Sequence, residues 1–202
     1  MTRRSGLLFA VGLVVLLCVT LPVPLLAGPT SICDNIAGNL VANCGFETGD
    51  FTDWIHGGNT GATGVTGGTY AHSGSFGAYL GPVGSDGTLT QGLGTTAGVY
   101  QLQFWLMSDG GFPNDFTAKV NGITLFSESN IGQQPYTEYT FDFTATGASS
   151  LEFLFRDDPG YLGLDDISVV RLGTTPEPSS MLLMVTGLLG LGPFLRGRFA
   201  RV

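Results

Sequence analysis

The chain carries little charge, and the charge that it has is unevenly placed. Only 12% of its 202 residues are charged. Between Asp34 and Glu177 all sixteen acidic residues meet only three basic ones, so this stretch has a formal charge of −13. The three basic residues are Lys119, Arg156 and Arg171. Because phosphates would be repelled, nucleic acid is excluded as a partner. Such acidity is typical of a soluble exported protein, or of one that holds a divalent cation.

Reactive side chains are also scarce. The two histidines, His56 and His72, belong to no metal-binding or nucleophile motif, and no Gly-x-Ser-x-Gly elbow is present. Asp157–Gly160, with the sequence Asp-Asp-Pro-Gly, predicts a turn. Adjacent strand residues point to opposite faces, so Asp165 and Asp166 are not expected to form a glycosidase acid pair. We therefore predict that the protein is not an enzyme and that both histidines are surface or loop residues.

Residues 1–27 have the layout of a secretory signal peptide. Arg3 and Arg4 precede an apolar run over 6–19, and Ala27 ends the segment. Paired arginines also occur in twin-arginine signals, so the export route stays open. Cys18 follows a leucine where lipid attachment requires a small residue, which argues against a lipoprotein.

Residues 174–202 mirror this arrangement at the other end. The triplet Pro176, Glu177 and Pro178 precedes a candidate transmembrane span over 179–195. The apolar part of that span rises about 22 Å as a helix, short of a hydrocarbon core of about 30 Å. The chain closes with three arginines, which would stay on the cytoplasmic side and leave 28–173 outside. They are Arg196, Arg198 and Arg201. The alternative, a buried C-terminal helix, conflicts with apolar residues around the whole circumference.

These three parts in this order resemble the PEP-CTERM sorting signal. That family occurs in Gram-negative bacteria that make extracellular polysaccharide, and its signal is processed by a membrane enzyme called exosortase. The resemblance implies an exosortase-type enzyme as a partner and transient anchoring in the inner membrane. It also implies a final location in the cell envelope or extracellular matrix, after loss of 181–202.

Residues 28–173 show no helical periodicity and predict an all-β domain. The predicted strands are 39–46, 76–80, 88–93, 99–107, 116–120, 123–126, 136–146, 151–155 and 162–172. Asn121–Gly122 predicts a hairpin, because both residues tolerate positive φ. The Gly/Thr-rich stretch 57–68 predicts a mobile loop. Eight or nine strands at this spacing predict an antiparallel β-sandwich, most simply a jelly roll.

Two segments carry a second resemblance. Residues 43–54 read N-x-x-F-E-x-G-x-F-x-x-W, and residues 164–169 read L-D-D-I-S-V. Together they resemble the first and last strands of carbohydrate-binding-module-like jelly rolls of the galactose-binding-like type. In that family the two strands pair antiparallel, and a structural Ca²⁺ bridges them. The resemblance implies Glu47 and Asp165, or Asp166, as calcium ligands. The alternative is that these carboxylates are solvated or bonded to backbone amides.

Cys33 and Cys44 are the only cysteines that remain after removal of the signal. An even pair in an exported chain favours a disulfide over two free buried thiols. It would close a loop of about 12 residues and contribute about 3 kcal/mol to stability.

Sugar binding requires exposed aromatic rings, and strand alternation singles out Trp105. It shares a strand face with glutamines, opposite Leu102, Phe104 and Leu106. Trp105 is therefore the candidate for stacking on a sugar, whereas Trp54 is expected in the core. We predict a structural or adhesive protein of the extracellular polysaccharide matrix. The alternative is a carbohydrate-binding module that recognises that polysaccharide.

Overall fold

The structure is a computed structural model that describes residues 30–173. The predicted signal peptide, the sorting signal and the span at 179–195 lie outside these residues. The strands are β1 (Ile55–Gly58), β2 (Thr63–Thr66), β3 (Gly77–Leu80), β4 (Gly87–Leu93), β5 (Gly98–Ser108), β6 (Asn114–Val120), β7 (Ile123–Ser129), β8 (Gln134–Ala145), β9 (Ser149–Asp157) and β10 (Leu162–Arg171). The helical elements between 30 and 173 are two short 3-10 helices, Ile32–Asn35 and Gly68–Tyr70. No helix in this range is long and apolar enough to cross a membrane.

The strands form two five-stranded sheets that face each other. The first sheet has the order β1-β4-β9-β6-β7, and the second has the order β2-β3-β10-β5-β8. Every pairing of neighbouring strands is antiparallel. The prediction of an all-β antiparallel sandwich is therefore confirmed.

The core forms where alternating apolar residues of the two sheets meet. In β5 the buried positions alternate with half-buried ones, and Leu102, Phe104 and Leu106 point inward. In β9 the same period buries Phe153 and Phe155. Each such side chain contributes about 1.5–3 kcal/mol by leaving water. The period of two thus fixes which face of each strand is inside.

Strand β8 and the hairpin before it also match the sequence patterns. Tyr139 and Phe141 stack on the buried ring of Phe104, so the face that they share with Phe143 is the core face. The β6–β7 hairpin turns at Asn121 and Gly122, whose φ values are 52° and 76°. The left-handed backbone of this turn explains the residue choice.

Residues 39–46 are not a strand, so that prediction was wrong. The segment runs beside β10 in turns, and Asn43 and Phe46 have positive φ. Only two backbone hydrogen bonds join it to β10, from Leu40 N to the Val169 oxygen and from Ile167 N to the Cys44 oxygen.

The side chain of Asn39 replaces part of the missing ladder between this segment and β10. Its amide nitrogen donates to the backbone oxygen of Ile167, and its amide oxygen accepts from the backbone nitrogen of Val169. The predicted disulfide between Cys33 and Cys44 is confirmed and ties this segment to the preceding 3-10 helix. The hydrogen bonds of Asn39 and the disulfide therefore hold the segment in place, where strand pairing with β10 was expected.

The stretch 57–68 is not a loop throughout, because it contains the end of β1 and all of β2. Both are edge strands that take their hydrogen bonds from one neighbour, β4 or β3. An edge strand of this kind requires no hydrophobic alternation of its own, so the sequence pattern missed it. A Cβ at Gly64 would lie 2.5 Å from the Tyr79 hydroxyl oxygen, so glycine lets that ring pack across β2.

Candidate functional site

The segment 71–76 crosses the outer face of the second sheet and is held there by carboxylates. Asp165 Oδ2 accepts hydrogen bonds from the backbone nitrogens of His72 (2.7 Å) and Ser73 (3.2 Å). Glu47 accepts from the backbone nitrogens of Ser75 (2.9 Å) and Phe76 (3.1 Å). The predicted metal ligands Glu47 and Asp165 therefore bind two ends of one segment.

Asp166 binds the same segment through side chains. Its carboxylate accepts from Ser73 Oγ (2.8 Å), from His72 Nδ1 (2.6 Å) and from Ser31 Oγ. The expectation that Asp165 and Asp166 point to opposite faces was wrong. A β-bulge between Asp165 and Ser168, with Asp166 at φ 48°, breaks the alternation and brings both carboxylates to one place.

The electrostatics of this cluster favour protonation of Asp165. Burial, followed by the charge of Asp166, raises the pKa of Asp165 to about 8. Hydrogen bonds from the backbone of Asp166, His72 and Ser73 act in the opposite direction, because they stabilise the carboxylate. Asp165 and Asp166 are both buried, so solvent does not relieve their repulsion.

The oxygens of Glu47, Asp165 and Asp166 do not converge on one point in a way that suits a cation. Each carboxylate faces N–H or O–H donors of 31–76 instead. In the described range, the one group of three ligand side chains with atoms within 4.8 Å of one another is Cys33, Asp34 and Cys44. Its two sulfurs are bonded to each other, so it is not a metal site. The residues as placed do not form a calcium shell, and calcium binding at Glu47 and Asp165 stays a prediction.

Trp105 lies on the outer side of β5, opposite Leu102, Phe104 and Leu106, as the alternation indicates. One face of its ring is stacked on His72, with centroids 3.9 Å apart. Its indole nitrogen is buried and has no hydrogen-bond partner. Trp105 therefore packs under the segment 71–76, and His72 joins that segment to both Trp105 and Asp166. Trp54 is buried, as predicted.

Three other aromatic residues form an open cleft at one end of the second sheet. Tyr70, Tyr79 and Tyr161 contact one another with ring centroids 5.7–6.1 Å apart. Together with Val65 and Thr66 they line a cleft of about 460 Å³, which we call the tyrosine cleft. All three rings are half-buried. In the described part of the chain their hydroxyl groups make no hydrogen bond, so they are free to bind a ligand.

A larger cleft of about 700 Å³ adjoins the tyrosine cleft through Thr69 and Asp109. Gln133, Gln134 and Tyr136 line its far side. The Tyr136 hydroxyl donates to the backbone oxygen of Tyr70 (2.6 Å), and Asp109 accepts from the backbone nitrogen of Tyr161 (2.8 Å). These two hydrogen bonds hold the backbone of Tyr70 and of Tyr161 where the two clefts meet.

The sequence patterns did not identify the tyrosine cleft. Its rings come from a 3-10 helix, from β3 and from the turn before β10, which are far apart in the chain. No spacing rule joins such positions, and only the order β2-β3-β10 brings them together. His72 was expected to be an ordinary loop residue, and its contact with Asp166 likewise depends on the fold.

No protein-family model matches the chain, and no curated protein matches it. Solved structures do. TmCBM61, solved in complex with β-1,4-galactotriose, is similar with a TM-score of 0.53 and 22% identity, over 66% of this chain and 99% of that chain. A xylanase 10B structure from Clostridium thermocellum, with CBM22-1 and GH10 modules and xylohexaose, is similar with a TM-score of 0.52 and 16% identity, over 70% and 30%.

A cleaved adhesin domain of Lys-gingipain from Porphyromonas gingivalis is similar with a TM-score of 0.52 and 17% identity, over 64% of this chain and 96% of that chain. At these identities the likeness concerns the fold. The described part of the chain therefore has the two-sheet jelly-roll fold of carbohydrate-binding modules.

Proposed function

We propose that this domain is a non-catalytic module that binds a polysaccharide in the tyrosine cleft. The observation that carries the proposal is the concave group formed by Tyr70, Tyr79 and Tyr161. Aromatic rings offer flat apolar surfaces to the C–H faces of a sugar, and binding sites are typically concave and aromatic with a few polar groups.

The neighbouring cleft supplies the polar groups that hydroxyl-rich ligands need. Gln133 and Gln134 offer amide donors and acceptors, and Asp109 offers a carboxylate at an exposed position. An extended chain of sugars could therefore stack on the tyrosines and continue toward these side chains. The acidic surface favours a neutral polysaccharide over an acidic one, because like charges repel.

Binding can be tested with β-1,4-galactan and xylan, the chemistries of the ligands in the two similar structures. Isothermal titration calorimetry on the full chain in mild detergent would measure the affinity of each. Replacing both Tyr79 and Tyr161 by alanine removes two stacking surfaces, and we expect at least a tenfold loss of affinity. Tyr100→Phe is the matched control, because Tyr100 is buried and bonded to Thr96 in a different part of the second sheet.

Two binding results would contradict the proposal. One is equal affinity of the double tyrosine variant and the Tyr100→Phe control. The other is no binding of any polysaccharide by the folded protein, which would favour the structural or adhesive role instead. Turnover of either polysaccharide would show that the module is catalytic.

Trp105→Ala tests the sequence-based alternative for the stacking residue. Because the Trp105 ring is stacked on His72, we expect this substitution to leave sugar affinity unchanged while it lowers the melting temperature. A loss of affinity without a loss of stability would assign the sugar site to Trp105.

Export and sorting are a separate part of the proposal and depend on the two ends of the chain. The order of Pro176–Pro178, the apolar run and the terminal arginines supports processing by an exosortase-type enzyme. The mature protein is then expected in the cell envelope or matrix without 181–202. Intact-mass measurement of envelope and medium fractions would show this, and a full C-terminus in those fractions would contradict it.

A further inference from the structure

Asp157 carries a carboxylate on the buried face of β9, where the nearby buried side chains are apolar. It ends β9 on the same face as Leu151, Phe153 and Phe155, and it is completely buried. Both of its carboxylate oxygens lack a hydrogen-bond partner within residues 30–173. A buried charge without partners is costly, so its presence requires an explanation.

The residue opposite Asp157 shows that the fold can satisfy a buried polar side chain here. Asn114 pairs with Asp157 across β6 and β9 and is equally buried. Its amide nitrogen donates to the backbone oxygens of Gly111 (2.6 Å) and Ile131 (2.9 Å), and its amide oxygen accepts from Ile131 N (2.7 Å). Asn114 is thus fully engaged with backbone groups, and the oxygens of Asp157 are left for something else.

Two other oxygen-bearing groups, the Asp109 carboxylate and the Pro159 carbonyl, lie near Asp157 Oδ1. A point where Gly160 would carry a Cβ lies 2.7 Å from Asp157 Oδ1 and 2.6 Å from Asp109 Oδ1. A Cβ on Gly111 would lie 2.8 Å from Asp157 Oδ1 and would press against the backbone oxygen of Pro159. Asp157 Oδ1 therefore borders a small space that has Asp109 Oδ1 on the Gly160 side and the Pro159 carbonyl oxygen on the Gly111 side.

The two glycines keep that space open. Neither Gly111 nor Gly160 has the positive φ that would require glycine for conformational reasons. A methyl group at either position would instead fill the space between the oxygens. Glycine is used here for room and not for backbone freedom.

The charges around this space repel one another in the absence of a cation. Burial, followed by the charges of Asp109 and Asp158, raises the pKa of Asp157 to about 7, and the backbone N–H of Asp158 acts weakly in the opposite direction. Asp109 is exposed, so the space has a route to solvent. Its own carboxylate is oriented by the backbone nitrogens of Gly111 (3.0 Å) and Tyr161 (2.8 Å).

We propose that Asp157 and Asp109, with the backbone oxygen of Pro159, bind a hard divalent cation, of which Ca²⁺ fits best. All three ligands are oxygens, and one of them is a carbonyl, a set that suits Ca²⁺ and not Zn²⁺ or Cu²⁺. The buried, unpartnered carboxylate supplies the charge, and water can complete the shell on the exposed side. The site shares no residue with the calcium site implied at Glu47 and Asp165. It shares Asp109 with the larger cleft, and its test measures Ca²⁺ binding in the absence of sugar.

The proposal is tested by titrating Ca²⁺ into the chelator-treated full chain in detergent and counting binding equivalents by calorimetry. Asp157→Asn keeps the size of the side chain and removes the buried charge, so the variant should fold. We expect it to lose one binding equivalent, together with the rise in melting temperature that Ca²⁺ gives to this site. Asp158→Asn is the matched control, because it removes the same charge one residue away, and it should retain binding.

Two further variants separate this site from its alternatives. Gly160→Ala should weaken Ca²⁺ binding at least tenfold, since its methyl group enters the space between the two carboxylates. Glu47→Gln should leave this binding equivalent unchanged, even if it removes a second one. The proposal is overturned if folded wild-type protein binds no Ca²⁺, or if Asp157→Asn binds as many equivalents as wild type.

Discussion

Two regions of this domain bury acidic side chains, and they treat them in opposite ways. Asp165 and Asp166 are surrounded by donors, which come from Ser31, His72 and Ser73. Asp157 is buried to the same extent, and neither of its carboxylate oxygens makes a well-formed hydrogen bond within residues 30–173. The backbone N–H of Asp158 lies close enough to lower the pKa of Asp157, against the larger effect of burial. The difference lies in the neighbouring segments and not in the residue type.

The contrast indicates two roles for a buried carboxylate. At Asp165 and Asp166, the segments 31–33 and 71–76 direct N–H and O–H groups toward the two carboxylates. The resulting hydrogen bonds attach both segments to β10. At Asp157 the loops 109–111 and 158–160 bring the Asp109 carboxylate and the Pro159 carbonyl oxygen close to a third oxygen, Asp157 Oδ1. The first region is a structural clamp, and the second is an acidic space that gains stability from a cation.

The largest effect is expected when the clamp loses its acceptor. Asp166→Ala leaves the donors of Ser31, His72 and Ser73 without a partner, and we expect a loss of about 3–5 kcal/mol of unfolding free energy. Urea unfolding measures this. Asp158→Ala, as the control, should change stability by no more than about 0.5 kcal/mol. Similar values for the two variants would show that the clamp does not hold segment 71–76.

A smaller effect is expected when the clamp loses its covalent support. The Cys33–Cys44 disulfide holds the 3-10 helix that brings Ser31 to Asp166. Replacing both cysteines by serine should cost about 3 kcal/mol, and adding a reductant to wild type should have the same effect. Thermal unfolding with and without reductant is the measurement, and a melting temperature insensitive to reductant would contradict the prediction.

The smallest effect is expected at Asp157, and it has the opposite sign. In chelator, Asp157→Asn should stabilise the domain by about 2 kcal/mol at pH 8, because a buried charge without partners is removed. The difference in unfolding free energy between Asp157→Asn and wild type should become smaller toward pH 5. The pKa of Asp157 is raised by burial to about 7 from 3.8, so the folded state holds a proton that the unfolded state releases.

Titration of Asp157 therefore lowers the free energy of unfolding of wild type as pH rises from about 4 to about 7. Asp157→Asn has no carboxyl group at this position, so its free energy of unfolding should not show this decrease. Unfolding curves of both proteins at pH 5 and pH 8 measure the difference. A stability gain that is the same at both pH values would show that Asp157 is not a buried titrating carboxylate.

The sequence predicted most of the sandwich because its core strands are long and alternate clearly. Phe104 and Leu106 of β5 are readable as inward positions from their period alone. The predicted strand at 39–46 was wrong, because the Asn39 side chain makes hydrogen bonds to β10 in place of part of a backbone ladder. The predicted loop over 57–68 was also wrong, because β1 and β2 form by pairing with β4 and β3.

The functional residues were harder to predict than the fold. Trp105 was placed on the correct face, but its stacking on His72 depends on where segment 71–76 lies. Asp157 was expected to begin a turn. The turn is present at 158–160, but Asp157 itself belongs to β9 and faces the core.

Period-two alternation, turn residues and the cysteine pair by themselves determined an antiparallel sandwich, its inward faces and its disulfide, because each of these signals acts over a few neighbouring residues. The tyrosine cleft, the clamp at Asp166 and the oxygen-lined space at Asp157 were decided only by the tertiary structure. Each of them joins residues from separate segments, and only the strand order and a β-bulge set which of their atoms meet.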